Sequence, residues 1–110
     1  MKAIIDGKRY NTDTPQLIGE ADNVGKGADS ASDFSFWSAS LYRTQRGNYF
    51  LAGRGGPASM FGEPVGRSGA WTGGSGIIPF LSPEEAQKWA ERHLDTEAVE
   101  QFFGEEIEDA

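Results

Sequence analysis

The chain of 110 residues has no cysteine and a single histidine, His93. The absence of cysteine excludes disulfides, thiolate zinc sites, iron–sulfur clusters and cysteine nucleophiles. One histidine cannot build a multi-histidine metal centre, and its place on the apolar side of a predicted helix favours packing over catalysis. The chain has neither a Walker-type lysine nor a serine in a nucleophile elbow. We therefore expect a protein that is not an enzyme and holds no cofactor or metal.

Long apolar runs are also missing. No stretch approaches the ~20 apolar residues that a membrane-spanning helix needs. The first residues, MKAIID, contain neither the apolar stretch nor the cleavage site of a signal peptide. Hydrophobic residues make up 37% of the chain, which is enough for the core of one small domain. We expect a cytoplasmic domain with no membrane contact.

Basic residues are scarce and unevenly placed. Residues 1–80 hold seven acids and eight bases, whereas residues 81–110 hold ten acids and only two bases, for a formal charge of −8. Such a block repels nucleic acid and attracts a basic surface on a partner protein. The competing interpretation is a solvated face that aids solubility. The predicted partner-binding carboxylates are Glu91, Asp95, Glu97, Glu100, Glu105, Glu106, Glu108 and Asp109.

Three arginines lie among aromatic residues in the middle of the chain: Arg43, Arg46 and Arg54. Bases interleaved with aromatics on a sheet can bind single-stranded nucleic acid. Hairpin solubility and pairing with acids explain the same residues, and the overall charge of −7 favours that explanation. We expect no direct contact with nucleic acid.

The first half of the chain predicts β-structure. An Asp-Gly pair between two short runs predicts a hairpin over residues 2–10. Residues 16–21 suit a strand in which Leu17 and Ile18 are partly buried, and helix is the alternative because the segment is too short to show a period. Residues 34–53 predict a second hairpin with aromatics on both faces, so one face is core and the other is covered or partly exposed. Residues 77–80 suit an edge strand, because their proline cannot donate to a sheet ladder.

Two helices are predicted at the C-terminus. Ser82 is the expected N-cap of the first, with Pro83 at its first position and Glu85 completing a capping box. Its apolar stripe consists of Ala86, Trp89, Ala90, His93 and Leu94. A second helix is expected from Asp95 or Thr96 to Gly104. The predicted fold class is α+β: an antiparallel sheet of four to five short strands with two C-terminal helices packed on one face.

We expect residues 1–104 to form a single domain and residues 105–110 an acidic tail. Residues 22–33, rich in Gly, Ser, Ala and Asp, predict a flexible loop. Residues 53–76 contain nine of the fifteen glycines and predict an irregular loop region, part of it extended. Its expected anchors are Met60, Phe61 and Trp71, which are also the alternative partner-binding residues.

Several segments together resemble a known family. They are GKRYNTDT at residues 7–14, LI at 17–18, LYRT at 41–44, GNYFL at 47–51, GG at 55–56 and the helix entry over residues 79–94. The combination resembles a widespread, mostly uncharacterised family of small bacterial proteins carried on plasmids, conjugative elements and phages. The resemblance spans most of the chain, with residues 22–33 and 57–76 as its weak parts.

The resemblance implies no enzyme chemistry and a role in the conflict between a mobile genetic element and its bacterial host. Small acidic anti-CRISPR proteins, some of which act as DNA mimics, are similar in size and charge. The sequence therefore predicts a non-enzymatic, acidic inhibitor that occludes a nucleic-acid-binding surface of a host defence complex, such as a CRISPR effector. The alternative is a small interaction or regulatory module of a mobile element that uses its sheet and glycine-rich loops.

Overall fold

The computed structural model describes residues 1–110 and has the predicted α+β fold. A four-stranded antiparallel sheet has the order β3-β4-β5-β8, and β1–β2 and β6–β7 form separate two-stranded hairpins. The elements are β1 (Lys2–Ile5), β2 (Lys8–Asn11), β3 (Gln16–Asp22), β4 (Trp37–Arg43), β5 (Tyr49–Gly55), β6 (Glu63–Val65), β7 (Ala70–Thr72), β8 (Gly74–Pro79), α1 (Pro83–His93), α2 (Thr96–Phe103) and a 3₁₀ turn at Gly104–Glu106.

The two helices cover one face of the sheet. Leu41 of β4 and Leu51 of β5 are opposite each other in the ladder and are both buried on this side. They pack in one cluster with small and aromatic residues of the helices. Tyr49 stacks on Phe103 of α2, with ring centroids 5.4 Å apart. This helix-side cluster is the larger of the two apolar cores.

The hairpin β1–β2 covers part of the opposite face. Tyr10 of β2 meets Phe50 edge-on at a centroid distance of 5.4 Å, and Tyr42 stacks on the same ring at 5.2 Å. Ala52 and Ile77 complete this second buried cluster. Side chains alternate between the two faces along β4 and β5. Aromatic residues occur on both faces because both faces are covered at this end of the sheet.

The Asp-Gly turn and the serine cap of α1 are confirmed. Asp6 and Gly7 both have positive φ, 51° and 76°, as a type I′ turn requires. Ser82 caps α1 by accepting a hydrogen bond from the Glu85 amide at 3.2 Å. The capping box differs from the prediction, because the Glu85 carboxylate accepts from the Leu81 amide at 3.3 Å and not from the Ser82 amide. Helix α2 ends at Phe103, and the chain continues directly into the 3₁₀ turn at Gly104–Glu106. The φ of Gly104 is −57°, in the right-handed helical region.

Strand β3 departs from the prediction at one point. A bulge lies between Leu17 and Gly19, where the pairing with β4 shifts by one residue. Leu17 and Ile18 are successive strand residues and point to opposite faces, so Ile18 is buried at 6% exposure among the helix-side residues, whereas Leu17 is 46% exposed. The expectation that both side chains are partly buried is therefore wrong.

The glycine-rich region is more regular than a loop. Strand β5 runs into it as far as Gly55, β6 and β7 form a hairpin inside it, and β8 begins within it. Several of its glycines allow backbones to touch: a Cβ on Gly56 would lie 2.4 Å from the Phe34 carbonyl oxygen, and one on Gly62 would lie 2.2 Å from that of Pro57. Close approach of neighbouring segments explains six of the nine glycines here, whereas Gly66 and Gly69 instead have positive φ.

The loop over residues 22–33 is tied to the start of β4 by two polar side chains. The Asn23 amide group donates to the Ser35 carbonyl and accepts from the Trp37 amide, both at 2.8 Å. The Asp33 carboxylate accepts from the amide and hydroxyl of Ser35 and from the amide of Asp29. These charged hydrogen bonds hold the pKa of Asp33 below its usual value.

Candidate partner-binding surfaces

All eight predicted carboxylates are exposed, but they have different structural settings. Asp95 is the N-cap of α2, and its Oδ1 accepts a hydrogen bond from the Ala98 amide at 2.8 Å. Asp95 therefore stabilises the start of α2, whether or not it also contacts a partner. Glu97 lies in the first turn of α2, and Glu108 and Asp109 follow the 3₁₀ turn.

Two carboxylates flank a small apolar depression between the helices. Glu91 of α1 and Glu100 of α2 line it together with Leu94, Val99 and Ile107. Ile107 is 41% exposed, so its side chain is open to a partner. The depression therefore has negative charge next to an apolar surface that a partner can reach.

A second, adjoining concavity shares Glu100 and adds three carboxylates. Glu84 from the start of α1 lies across it from Glu105 and Glu106 of the 3₁₀ turn. Phe102 also lines it, and so does one base, Arg43, whose guanidinium lies over the Tyr49 ring. We call the five carboxylates of the two concavities the acidic surface: Glu84, Glu91, Glu100, Glu105 and Glu106.

Glu84 is not among the carboxylates predicted from the sequence. Glu84 precedes Glu105 by 21 residues, and only the antiparallel packing of α1 and α2 brings the two together. The signal available in the sequence was the short connection between two amphipathic helices, which implies that they run antiparallel and side by side. Conversely, Glu97, Glu108 and Asp109 line neither concavity.

The alternative binding residues fall in two different environments. Phe61 is buried in the helix-side core, so it anchors the fold and cannot contact a partner. Met60 and Trp71 are exposed, contrary to the prediction that they anchor the loops. Trp71, 57% exposed, lines a shallow apolar depression with Phe34, which is 74% exposed, and with Pro57. We call these three residues the apolar patch.

The three central arginines do not converge. Arg43 lies over Tyr49 on the helix side of the sheet, and Arg54 lies over Phe36 on the opposite side, with 5.2 Å between its guanidinium carbon and the ring centroid. Arg46 lies in the β4–β5 turn. The arrangement therefore lacks the single basic and aromatic face that binding to a nucleic-acid strand would use.

His93 packs against two indole rings, as its place on the apolar stripe predicts. Its ring centroid lies 4.9 Å from that of Trp37 and 4.9 Å from that of Trp89. Burial lowers the pKa of His93, and the positive charges of Arg92 and Lys26 lower it further. These neighbours favour a neutral ring that serves as a packing residue.

The chain contains no group of three or more His, Asp or Glu side chains arranged to hold a metal ion. None of its helices has the length and apolar character needed to cross a bilayer. No family model, curated protein or solved structure matches the chain.

Proposed function

We propose that the protein is a non-enzymatic binding protein whose acidic surface docks on a basic surface of a partner protein and blocks nucleic acid from it. The observation that carries the proposal is the convergence of five carboxylates, from three helical segments, around two adjoining concavities. Carboxylates spaced over a helical surface can occupy the positions at which a nucleic-acid-binding protein binds phosphates.

Charge and apolar contact have separate roles in this proposal. Long-range attraction between the acidic surface and a basic partner speeds association and sets orientation. The complex is then held by burial of apolar groups, for which Ile107 and the half-buried Phe102 are the available contacts. Association should therefore weaken as salt rises, because the Debye length is only about 8 Å at physiological ionic strength.

The proposed target is a host defence complex in the bacterial cytoplasm, and the proposed activity is that of an anti-CRISPR protein. CRISPR effectors hold nucleic acid in channels rich in Lys and Arg, which are complementary to the acidic surface. The family resemblance and the formal charge of −8 over residues 81–110 support this proposal.

Phage plating tests the proposed target. A phage targeted by CRISPR is plated on strains of several CRISPR types, with and without expression of this protein. Plaques restored in one type would support the proposal and would identify the complex to purify. No rescue in any type, with the protein expressed and folded, would contradict the anti-CRISPR proposal for the types tested.

Charge-matched variants then test the surface on the identified complex. The variant E91Q/E100Q/E105Q/E106Q removes four charges from the acidic surface and should weaken binding between about fourfold and several hundredfold, since exposed ion pairs contribute about 0.2–1 kcal/mol each. The variant D13N/E20Q/D29N/E63Q removes four exposed charges elsewhere and should bind as the parent does. Equal weakening in both variants would show that only total charge matters.

A second candidate function is a small interaction or regulatory module of a mobile element. The observation that favours it is the apolar patch, where two large aromatic side chains are open to solvent next to the glycine-rich region. Exposed aromatics side by side are typical of protein-binding surfaces. This candidate requires the apolar patch, and the first candidate requires the acidic surface, so variants of each surface distinguish them.

A further inference from the structure

A basic concavity lies on the side of the sheet that carries the N-terminal hairpin. It has a volume of about 600 Å³ and forms where β2 and the following turn meet the β4–β5 turn. Its eleven lining residues include three cations, Lys8, Arg9 and Arg46, and none is acidic. In a chain with a net charge of −7, three of the ten bases are thus collected around one concavity without a neutralising carboxylate among the lining residues.

Both walls of the basic concavity are held by short-range structure. One wall follows the type I′ turn at Asp6 and Gly7, which fixes the start of β2. The other wall is the β4–β5 turn, in which the Thr44 amide donates to the Asn48 carbonyl at 2.8 Å and the Gly47 amide donates to the Thr44 carbonyl at 2.9 Å. The cations therefore extend from backbone that is already ordered, which lowers the entropy cost of binding.

Neutral donors lie among the cations. The Oδ1 atom of Asn11 accepts a hydrogen bond from the Asp13 amide at 2.8 Å, so its NH₂ group is left to donate. The amide side chains of Gln45 and Asn48 also line the concavity. Only one lining residue is hydrophobic, so the site does not suit an apolar ligand.

We propose that the basic concavity binds a phosphate-class oxyanion. A phosphate group presents several acceptor oxygens and one or two negative charges, which matches cations supplied by two walls of a concavity that amide side chains also line. Arginine suits this ligand because its planar guanidinium can donate two parallel hydrogen bonds to one phosphate. The phosphate can belong to a small free compound or to the backbone of a nucleic acid. The proposal uses none of the residues of the acidic surface and stands independently of the proposed function.

The test is a titration of the ¹⁵N-labelled protein with inorganic phosphate and with pyrophosphate, at ionic strength held constant with sodium chloride. The expected result is saturable shifts of backbone amides within residues 7–15 and 44–48. The variant R9Q/R46Q should weaken binding at least about tenfold, because it removes two of the three charges that bind the anion. The variant K26Q/R67Q, with the same change of net charge outside the concavity, should bind as the parent does.

The same spectra show whether each variant is folded, and K8Q/R46Q provides a second variant if R9Q/R46Q is not. An oligothymidylate arm distinguishes the two sources: tighter binding than pyrophosphate at the same amides identifies a nucleic-acid phosphate, and weaker binding identifies a small compound. Shifts that do not saturate, that scatter over the surface, or that persist equally in the charge-removal variants would overturn the proposal.

Discussion

His93 meets Trp37 edge-on, with ring centroids 4.9 Å apart and ring planes at 84°. The contact joins the last turn of α1 to the first residue of β4. Trp89 of α1 packs against both rings, with its ring centroid 6.1 Å from that of Trp37 and 4.9 Å from that of His93. The protonation state of one side chain is therefore coupled to the packing between the helices and the sheet.

Acidification should destabilise the protein through His93. Burial and two neighbouring cations lower the pKa of His93 in the folded state, so the unfolded chain binds more protons as the pH falls through the ordinary value of about 6.5. The free energy of unfolding should therefore decrease from about pH 7.5 to 5.5. Urea unfolding measured across that range tests this, with His93→Gln as the variant that lacks the titrating group. The same decrease in parent and variant would exclude His93 as its source.

Gly53 and Gly76 form a cross-strand pair between β5 and β8, yet they should respond differently to alanine. A Cβ on Gly53 would lie 2.1 Å from the Ser38 carbonyl oxygen, whereas one on Gly76 meets nothing within 4 Å. Gly53→Ala should lower the free energy of unfolding by about 1–3 kcal/mol through overpacking. Gly76→Ala should leave it unchanged or raise it by up to about 1 kcal/mol, because alanine restricts the unfolded chain. Equal effects on chemical denaturation would contradict the close approach at Gly53.

Asp95 offers a way to separate capping from charge. Asp95→Ala removes the acceptor of the Ala98 amide and should lower the free energy of unfolding by about 1 kcal/mol. Asp95→Asn removes the charge but retains an oxygen that can cap the helix, so its stability should stay close to that of the parent. Thermal unfolding of the two variants checks this, and a loss of stability with asparagine equal to that with alanine would show that charge, not the cap, is responsible.

The apolar patch should tolerate polar residues. Phe34 and Trp71 are 74% and 57% exposed, so F34S/W71S should change the free energy of unfolding by no more than about 0.5 kcal/mol. Partner binding by this variant is the informative measurement. Full binding would exclude the apolar patch as the contact surface, and its loss in a folded variant would favour the interaction-module candidate.

Much of the fold follows from local signals in the sequence. The Asp-Gly turn, the serine cap of α1 and the periodic apolar stripe each depend on residues within one or two turns of chain, and the structure confirms them. The bulge at Ile18 could not be predicted, because the pairing that defines it comes from β4 more than 20 residues away.

The candidate site was predicted less completely. Charge counting identified the acidic third of the chain, but four of the eight predicted carboxylates line neither concavity, and Glu84 does so without having been predicted. Helix packing determines which carboxylates face each other, and composition carries no information on that. The strands of the glycine-rich region were not predicted for a similar reason, since the contacts that its glycines permit are with the backbone of other segments.

The two apolar clusters on opposite faces of the sheet share no residue. This division predicts that the two faces do not unfold in a single cooperative step. We expect the N-terminal hairpin to detach while the helix-side core stays intact, as a separate foldon of lower stability. Its amide protons should exchange with solvent before those of β4 and β5. Detachment also removes one wall of the basic concavity, so an anion bound there would slow hydrogen exchange over residues 2–11. The hydrogen-exchange rate of the hairpin would thus report whether the basic concavity is occupied.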